Sequence, residues 1–246
     1  MSSFHFRHQV TPFVILFIER DGSTYLTSLL ENHPEINMVY ERFAVLKQKG
    51  LGAKDQLDWL TEFFTPPLIG RTGASGFKTK LVDILDLKGF SALLKQKKCK
   101  IILMQRKNLI KAVVSRINAR RLYEATGNWN LYKESDRRPP MVIYLAEFDQ
   151  FGKEREDAER ELREYAHSLG LPLLQIVYED LLISKEQTIN QVLSFLKVKI
   201  MPLHEKTIKH TSDDLREVIE NFDEVRNHFS GTRYASMFDE VTHPSA

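Results

Sequence analysis

The stretch "FVILFIERDGSTYLTSLLENHP", residues 13–34, decides the fold. Six apolar residues, Phe13 to Ile18, run into the charged turn Glu19-Arg20-Asp21-Gly22, and "STYLTSLLE" follows with helical spacing. An apolar run so short and so continuous predicts a strand covered on both faces, as in a parallel sheet. A strand, a tight glycine turn and a helix start bring backbone N–H groups and the positive end of the helix toward one point. Gly22 permits a close approach that a Cβ forbids. Ser23 and Thr24 offer hydroxyls, and Arg20 a charged fork, to a phosphate-like oxygen. A lone Gly-Ser-Thr can equally be a plain helix cap, so other parts of the chain must decide.

Strand-like runs recur at Gly76–Thr79, Lys100–Gln105 and Leu173–Tyr178, separated by helical patterns near 23–32, 54–64, 86–97, 108–124, 141–169, 185–197 and 212–229. This alternation predicts an α/β fold, a three-layer α/β/α arrangement around a central, mainly parallel sheet, with residues 1–246 as a single domain. Asp180, Ser184 and either Ser212 or Asp213 read as helix caps. In "GKEREDAERELREYAHSLG", the pairs Glu156/Arg160 and Glu159/Arg163 read as a solvated face. Phe151, Ala158, Leu162, Tyr165 and Leu169 form the inward stripe. Residues 126–140 are polar and aromatic and end in two prolines, the pattern of a surface loop.

The chain is 42% hydrophobic and 28% charged, with a formal charge of +2. Attraction for an anion must therefore come from local placement of Lys and Arg, and a dedicated nucleic-acid binder is not expected. The basic run "LLKQKKCKI" reads as a helix end favoured by the macrodipole. A single cysteine, Cys99, rules out an intrachain disulfide. No apolar run approaches the ~20 residues of a membrane span, and no signal-peptide pattern precedes Phe13, so a soluble, cytoplasmic protein is expected.

A mononucleotide P-loop requires G-x-x-x-x-G-K-[ST], which no part of the chain supplies. "GRTGASGFKT" (70–79) comes near, but Phe77 separates Gly76 from Lys78-Thr79, and the loop precedes a strand instead of opening a helix. A second constellation lies in "ILMQRKNLIKAVVSRINAR". Arg106 stands at the carboxyl end of a strand, Asn108 can cap the next helix, and Ser115, seven residues on, shares its face. Ligands of open α/β sheets bind at that edge. Two anion sites there, at Arg20–Thr24 and at Arg106/Ser115, would suit a nucleotide phosphorylated at two places. Ser115 alone also fits a helical serine bonded to its own turn.

Together these residues resemble a known family. "ERDGSTYLTSLLENHPEI" is similar to the 5′-phosphosulfate loop of sulfotransferases, and "QRKNLIKAVVSRINA" to the 3′-phosphate segment of their bacterial carbohydrate-type members. "GFKTK", "IVYEDLL" and "VIENFDEVRNHFSGTRY" fit successive blocks, over residues 13–235. The resemblance implies a P-loop-like fold and an enzyme that uses 3′-phosphoadenosine 5′-phosphosulfate (PAPS) as co-substrate without a metal. The acceptor would be a small molecule, carbohydrate or lipid carrying a hydroxyl or amine. By analogy Arg20, Gly22, Ser23, Thr24 and Tyr25 hold the 5′-phosphosulfate, and Arg106 and Ser115 the 3′-phosphate. Lys78 matches the lysine that reaches the transferring group.

Lys80 occupies the position where small-molecule sulfotransferases carry a histidine, and an ordinary lysine is protonated at neutral pH. Glu41 in "VYERF" is the candidate base, with a surface pair to Arg42 as its alternative; His33 is second, with a structural role as its alternative. Asp21 departs from the family pattern, because a carboxylate there repels a phosphosulfate unless it turns away or meets a cation. Tyr178 and Leu181 read as packing residues. Segments 42–75 and 126–140, with Trp59, Trp129 and Tyr132, are expected to shape the acceptor side. Rival readings are an ATP-using small-molecule kinase and a non-catalytic nucleotide- or protein-binding relative. Oligomeric state and acceptor identity are not set by the sequence.

Overall fold

The computed structural model describes residues 10–65, 73–131, 133–204 and 213–240. In chain order these form β1 (Thr11–Leu16), α1 (Ser23–Glu31), β2 (Ile36–Val39), α2 (Arg42–Gln48), α3 (Ala53–Phe63), β3 (Ala74–Thr79) and α4 (Leu87–Gln96). Then follow β4 (Lys100–Gln105), α5 (Leu109–Thr126), α6 (Leu145–Ser168), β5 (Leu173–Val177), α7 (Tyr178–Ile183), α8 (Lys185–Leu196) and α9 (Phe222–His228). The sheet has the order β2-β3-β1-β4-β5, with every pairing parallel.

β1 is central because its side chains are apolar on both faces. Phe13, Ile15 and Phe17 pack with Leu26 and Leu29 of α1 and Val192 and Leu196 of α8. Val14, Leu16 and Ile18 meet Phe43 of α2, Phe90 of α4 and Leu162 of α6 on the other face. The period of two along the strand thus places one helical layer on each side. In register, Leu16 lies between Thr79 of β3 and Leu103 of β4. The chain leaves β1 toward β2 and β3 on one side and later returns to β4 on the other. The carboxyl ends of β3, β1 and β4 therefore adjoin at the point where the strand order reverses, the place at which open α/β sheets bind ligands.

Several elements differ from the sequence expectation. β2, four residues long, and the short helices α2 and α7 are additional. The helix expected at 212–229 is instead a 3-10 turn at Leu215–Glu217 followed by α9. The intervening backbone bonds elsewhere: Met141 N donates to Val218 O at 2.8 Å and Glu220 N to Met141 O at 2.9 Å. The same bridge holds Met141 out of α6, whose start falls at Leu145. Asp180 lies inside α7, and Ser184 occupies the N-cap position of α8 without a side-chain bond. Asp213 pairs with Lys111 at 3.1 Å; Ser212 is outside the described residues. No helix among the described residues is long and apolar enough to cross a membrane.

Candidate active site

The turn after β1 contains two left-handed residues, Arg20 (φ 71°) and Gly22 (φ 80°). For Arg20 this conformation costs about 1–2 kcal/mol, so its surroundings must hold it. For Gly22 the requirement is steric as well, because a Cβ built there would overlap the ring of Tyr178. Gly22 itself is the N-cap of α1, with no side-chain cap bond. Ser23 and Thr24 are therefore not the cap that a lone Gly-Ser-Thr can be. Their hydroxyls face Lys78 at the end of β3, whose Nζ donates to Thr24 Oγ1 at 2.8 Å and to Ser23 Oγ at 3.4 Å. Tyr25 packs, partly buried, against the core.

Lys78 is 1% exposed, and its Nζ lies 3.2 Å from Glu41 Oε1. The rings of Phe17 and Tyr40 stand 4.9 and 5.5 Å from the same nitrogen. Burial lowers the Lys78 pKa, against the pull of Glu41. Glu41, at the start of α2, is one-third exposed and also meets Lys80, 3.8 Å from its Oε2. Among the described residues its ion-pair partners are thus these two lysines, not Arg42. His33 is not brought to this place. Its Nδ1 accepts from Glu35 N at 3.1 Å, so Nε2 carries the proton and donates to Lys199 O at 2.7 Å. It lies beyond the C-terminal end of α1, about 13 Å along the helix from Ser23.

The second expected anion loop meets the first directly. Arg106 Nη1 donates to Arg20 O at 3.1 Å, and Arg20 Nε donates to Ser115 Oγ at 2.9 Å. Ser115 is thus bonded to the other loop and does not stand apart as a separate cradle. Asn108 caps α5, its Oδ1 accepting from Lys111 N at 2.8 Å. Burial, then the neighbouring Arg106, lowers Arg20 to about 10. Burial also lowers Arg106, whose buried Nε has no hydrogen-bond partner. Two crowded guanidiniums of this kind favour an anion between them.

Sequence reasoning left three residues out of the site, although it read Tyr178 as the packing residue that it is. Tyr178 covers Gly22, with Arg106 Cζ 5.0 Å from its ring centroid. Glu179 accepts from Lys107 N at 3.0 Å and Asn108 N at 3.1 Å, and stands 3.9 Å from Arg106 Nε. No local pattern marks either role; both come from the position of β5 beside β4. The third, Arg155, was visible in principle, because it falls at helical spacing between Phe151 and Leu162 on the inward stripe of α6.

Arg155 is buried and answers the problem posed by Asp21. Its Nη2 pairs with Asp21 Oδ1, its Nη1 donates to Glu19 O at 2.8 Å and its Nε to Glu159 Oε1 at 2.6 Å. Asp21 Oδ2 accepts from Ile18 N at 3.0 Å, so the carboxylate is engaged by α6 and its own turn. Burial raises Asp21 to about 6, outweighing the attraction of Arg155. For Arg155 burial acts downward but two carboxylates, Asp21 and Glu159, more than offset it. The expected pairs on α6 are replaced: Glu159 serves Arg155, Glu156 meets Arg233 and Tyr234, and Arg160 meets Asp157 at 2.5 Å.

Of the aromatics expected on the acceptor side, Trp59 is partly buried and packs against the core, stacked on Phe63 at 4.9 Å and edge-on to Phe77 at 5.2 Å. Trp129 is 54% exposed and stacks on Tyr123 at 4.4 Å. Tyr132 lies outside the described residues.

No protein-family model matches the chain. It is 28% identical over 241 residues to Nodulation protein H of Rhizobium tropici, with 93% of each chain covered. To Nodulation protein H of Rhizobium meliloti it is 25% identical over 240 residues, covering 93% of this chain and 95% of the relative. Among solved structures, the crystal structure of a sulfotransferase from Alicyclobacillus acidocaldarius matches with a TM-score of 0.50 at 14% identity, covering 96% of this chain and 97% of that one. The all-parallel sheet with its glycine turn and flanking helices is the sulfotransferase fold.

Proposed function

We infer that this chain is a PAPS-dependent sulfotransferase, moving a sulfonyl group to a hydroxyl or amine of a small-molecule, carbohydrate or lipid acceptor. The observation that carries this reading is the convergence on Lys78: its ammonium touches the hydroxyls of the helix start on one side and the carboxylate of Glu41 on the other. A cation, a phosphate-type loop and a carboxylate open to solvent supply what an in-line displacement needs.

In this reading the acceptor oxygen attacks sulfur opposite the bridging oxygen of the phosphosulfate. The S–O bond to the phosphate breaks, its electron pair stays on that oxygen, and 3′-phosphoadenosine 5′-phosphate leaves. Lys78 lies where charge grows on the bridging oxygen, and Ser23, Thr24 and the first N–H groups of α1 hold the 5′ phosphate. Glu41 takes the acceptor proton. Arg106, whose Nε makes no hydrogen bond, and Ser115, whose O–H remains a donor while its oxygen accepts from Arg20, receive the 3′-phosphate. The reaction runs in the cytoplasm.

Calorimetric titration with 3′-phosphoadenosine 5′-phosphate, ADP and ATP–Mg²⁺ tests the nucleotide class. Tighter binding of the bisphosphate is expected, and preference for ATP–Mg²⁺ would favour a kinase. Incubation with PAPS and an acceptor panel should add ~80 Da to a product, the mass signature of the reaction class. Binding without turnover on any acceptor would leave a nucleotide-binding protein.

A further inference from the structure

Arg155 lies in a charge-rich helix away from the groups assigned to donor and acceptor, yet it is buried and all three kinds of its nitrogen are engaged. Two arms of its planar fork take the residues on either side of Arg20: the carbonyl of Glu19 and the carboxylate of Asp21. A rigid guanidinium that fixes residues 19 and 21 also fixes the peptide planes that bound residue 20. Arg20 is the one residue of the turn with a Cβ that is held at positive φ. Its carbonyl thereby faces Arg106 Nη1, and its side chain faces Ser115.

We propose that Arg155 is a positioning residue for the nucleotide donor: acting through Glu19 and Asp21, it locks Arg20 in the left-handed conformation that joins the two phosphate-binding loops. This rests on the sulfotransferase reading. Asp21 then acts as the handle by which α6 grips the loop from behind. Glu159 completes the brace by holding Arg155 Nε at 2.6 Å. Without the brace, Arg20 relaxes to negative φ, its carbonyl leaves Arg106, and both cations lose their aim at the phosphates.

The test separates bracing from mere folding. Arg155→Lys keeps the charge but cannot hold both arms, whereas Arg155→Met combined with Asp21→Asn removes both buried charges and leaves neither unpaired. Thermal unfolding, calorimetric affinity for 3′-phosphoadenosine 5′-phosphate, and KM for donor and acceptor are measured on the full chain. R155K should weaken the bisphosphate and raise the donor KM by about tenfold or more, leaving the acceptor KM unchanged. The double variant should regain a Tm near wild type while its bisphosphate affinity remains about tenfold weak. Wild-type affinity in either variant, or affinity that recovers in step with Tm, overturns the proposal. Failure of the wild-type chain itself to bind the bisphosphate would overturn the sulfotransferase reading, and this inference with it.

Discussion

The ammonium of Lys78 and the carboxylate of Glu41 meet at 3.2 Å across the end of the sheet, the lysine buried in β3 and the glutamate open to solvent at the start of α2. In the proposed reaction the pair places a proton acceptor beside the cation that neutralises the leaving group. Glu41→Gln keeps the shape and removes the base. kcat should fall by about 10²–10⁴-fold, while affinity for 3′-phosphoadenosine 5′-phosphate stays near wild type. Full turnover in steady-state assays would remove Glu41 from the chemistry.

Lys78→Met replaces a buried cation by a side chain of similar length. Charge on the bridging oxygen then goes uncompensated, and kcat should drop by roughly 10²–10³-fold. The fold should tolerate the change, since burial of the ammonium is unfavourable and Glu41 retains Lys80 and solvent. Comparison of kcat with the thermal midpoint decides the matter. A large fall in Tm with little change in kcat would make Lys78 a structural residue.

β1, β4 and β5 were legible because each is largely apolar, β3 as the short run Gly76–Thr79 between helical patterns, and the first helix because a glycine turn precedes it. β2 was not: "INMV" is too short and mixed to carry a period. α2 and α7, seven and six residues long, span too few turns for an amphipathic stripe. The break in the expected C-terminal helix comes from the bridge between Met141 and Ile219, a long-range pairing with no local mark. Thr24 was chosen from the glycine turn and Lys78 and Glu41 by resemblance, and the fold brings the three together. Arg155 was readable from its place on the stripe, yet five neighbouring acidic and basic residues made it look like surface. Tyr178 and Glu179 reach the site only because β5 pairs with β4.

Gly22→Ala adds one methyl group where φ is 80° and the Tyr178 ring already fills the space. Backbone strain alone costs on the order of 1–3 kcal/mol, and the displaced ring disturbs its cation–π contact with Arg106. Chemical denaturation should show a loss of at least that size together with loss of bisphosphate binding. Adding Tyr178→Ala should relieve the overlap but leave the strain, so stability recovers only in part. An unperturbed Gly22→Ala protein would contradict the turn geometry.

Asp21 predicts the pH dependence of stability. Burial gives its carboxyl a pKa of about 6 in the folded chain against an ordinary value of 3.8, so the folded state binds this proton more tightly than the unfolded state does. Its contribution is fully present below the ordinary value and is lost as pH rises through about 6. Relative to Asp21→Asn, which does not titrate, the wild-type protein should therefore lose stability between pH 4 and pH 7, by on the order of 2–3 kcal/mol. Arg155 and Glu159 act on Asp21, Asp21 acts in turn on Arg106, and arginines stay protonated across that range. Urea unfolding of the two proteins at a series of pH values measures the difference directly. A difference that grows with pH would mean that the attraction of Arg155 outweighs burial and holds the Asp21 carboxyl below its ordinary value.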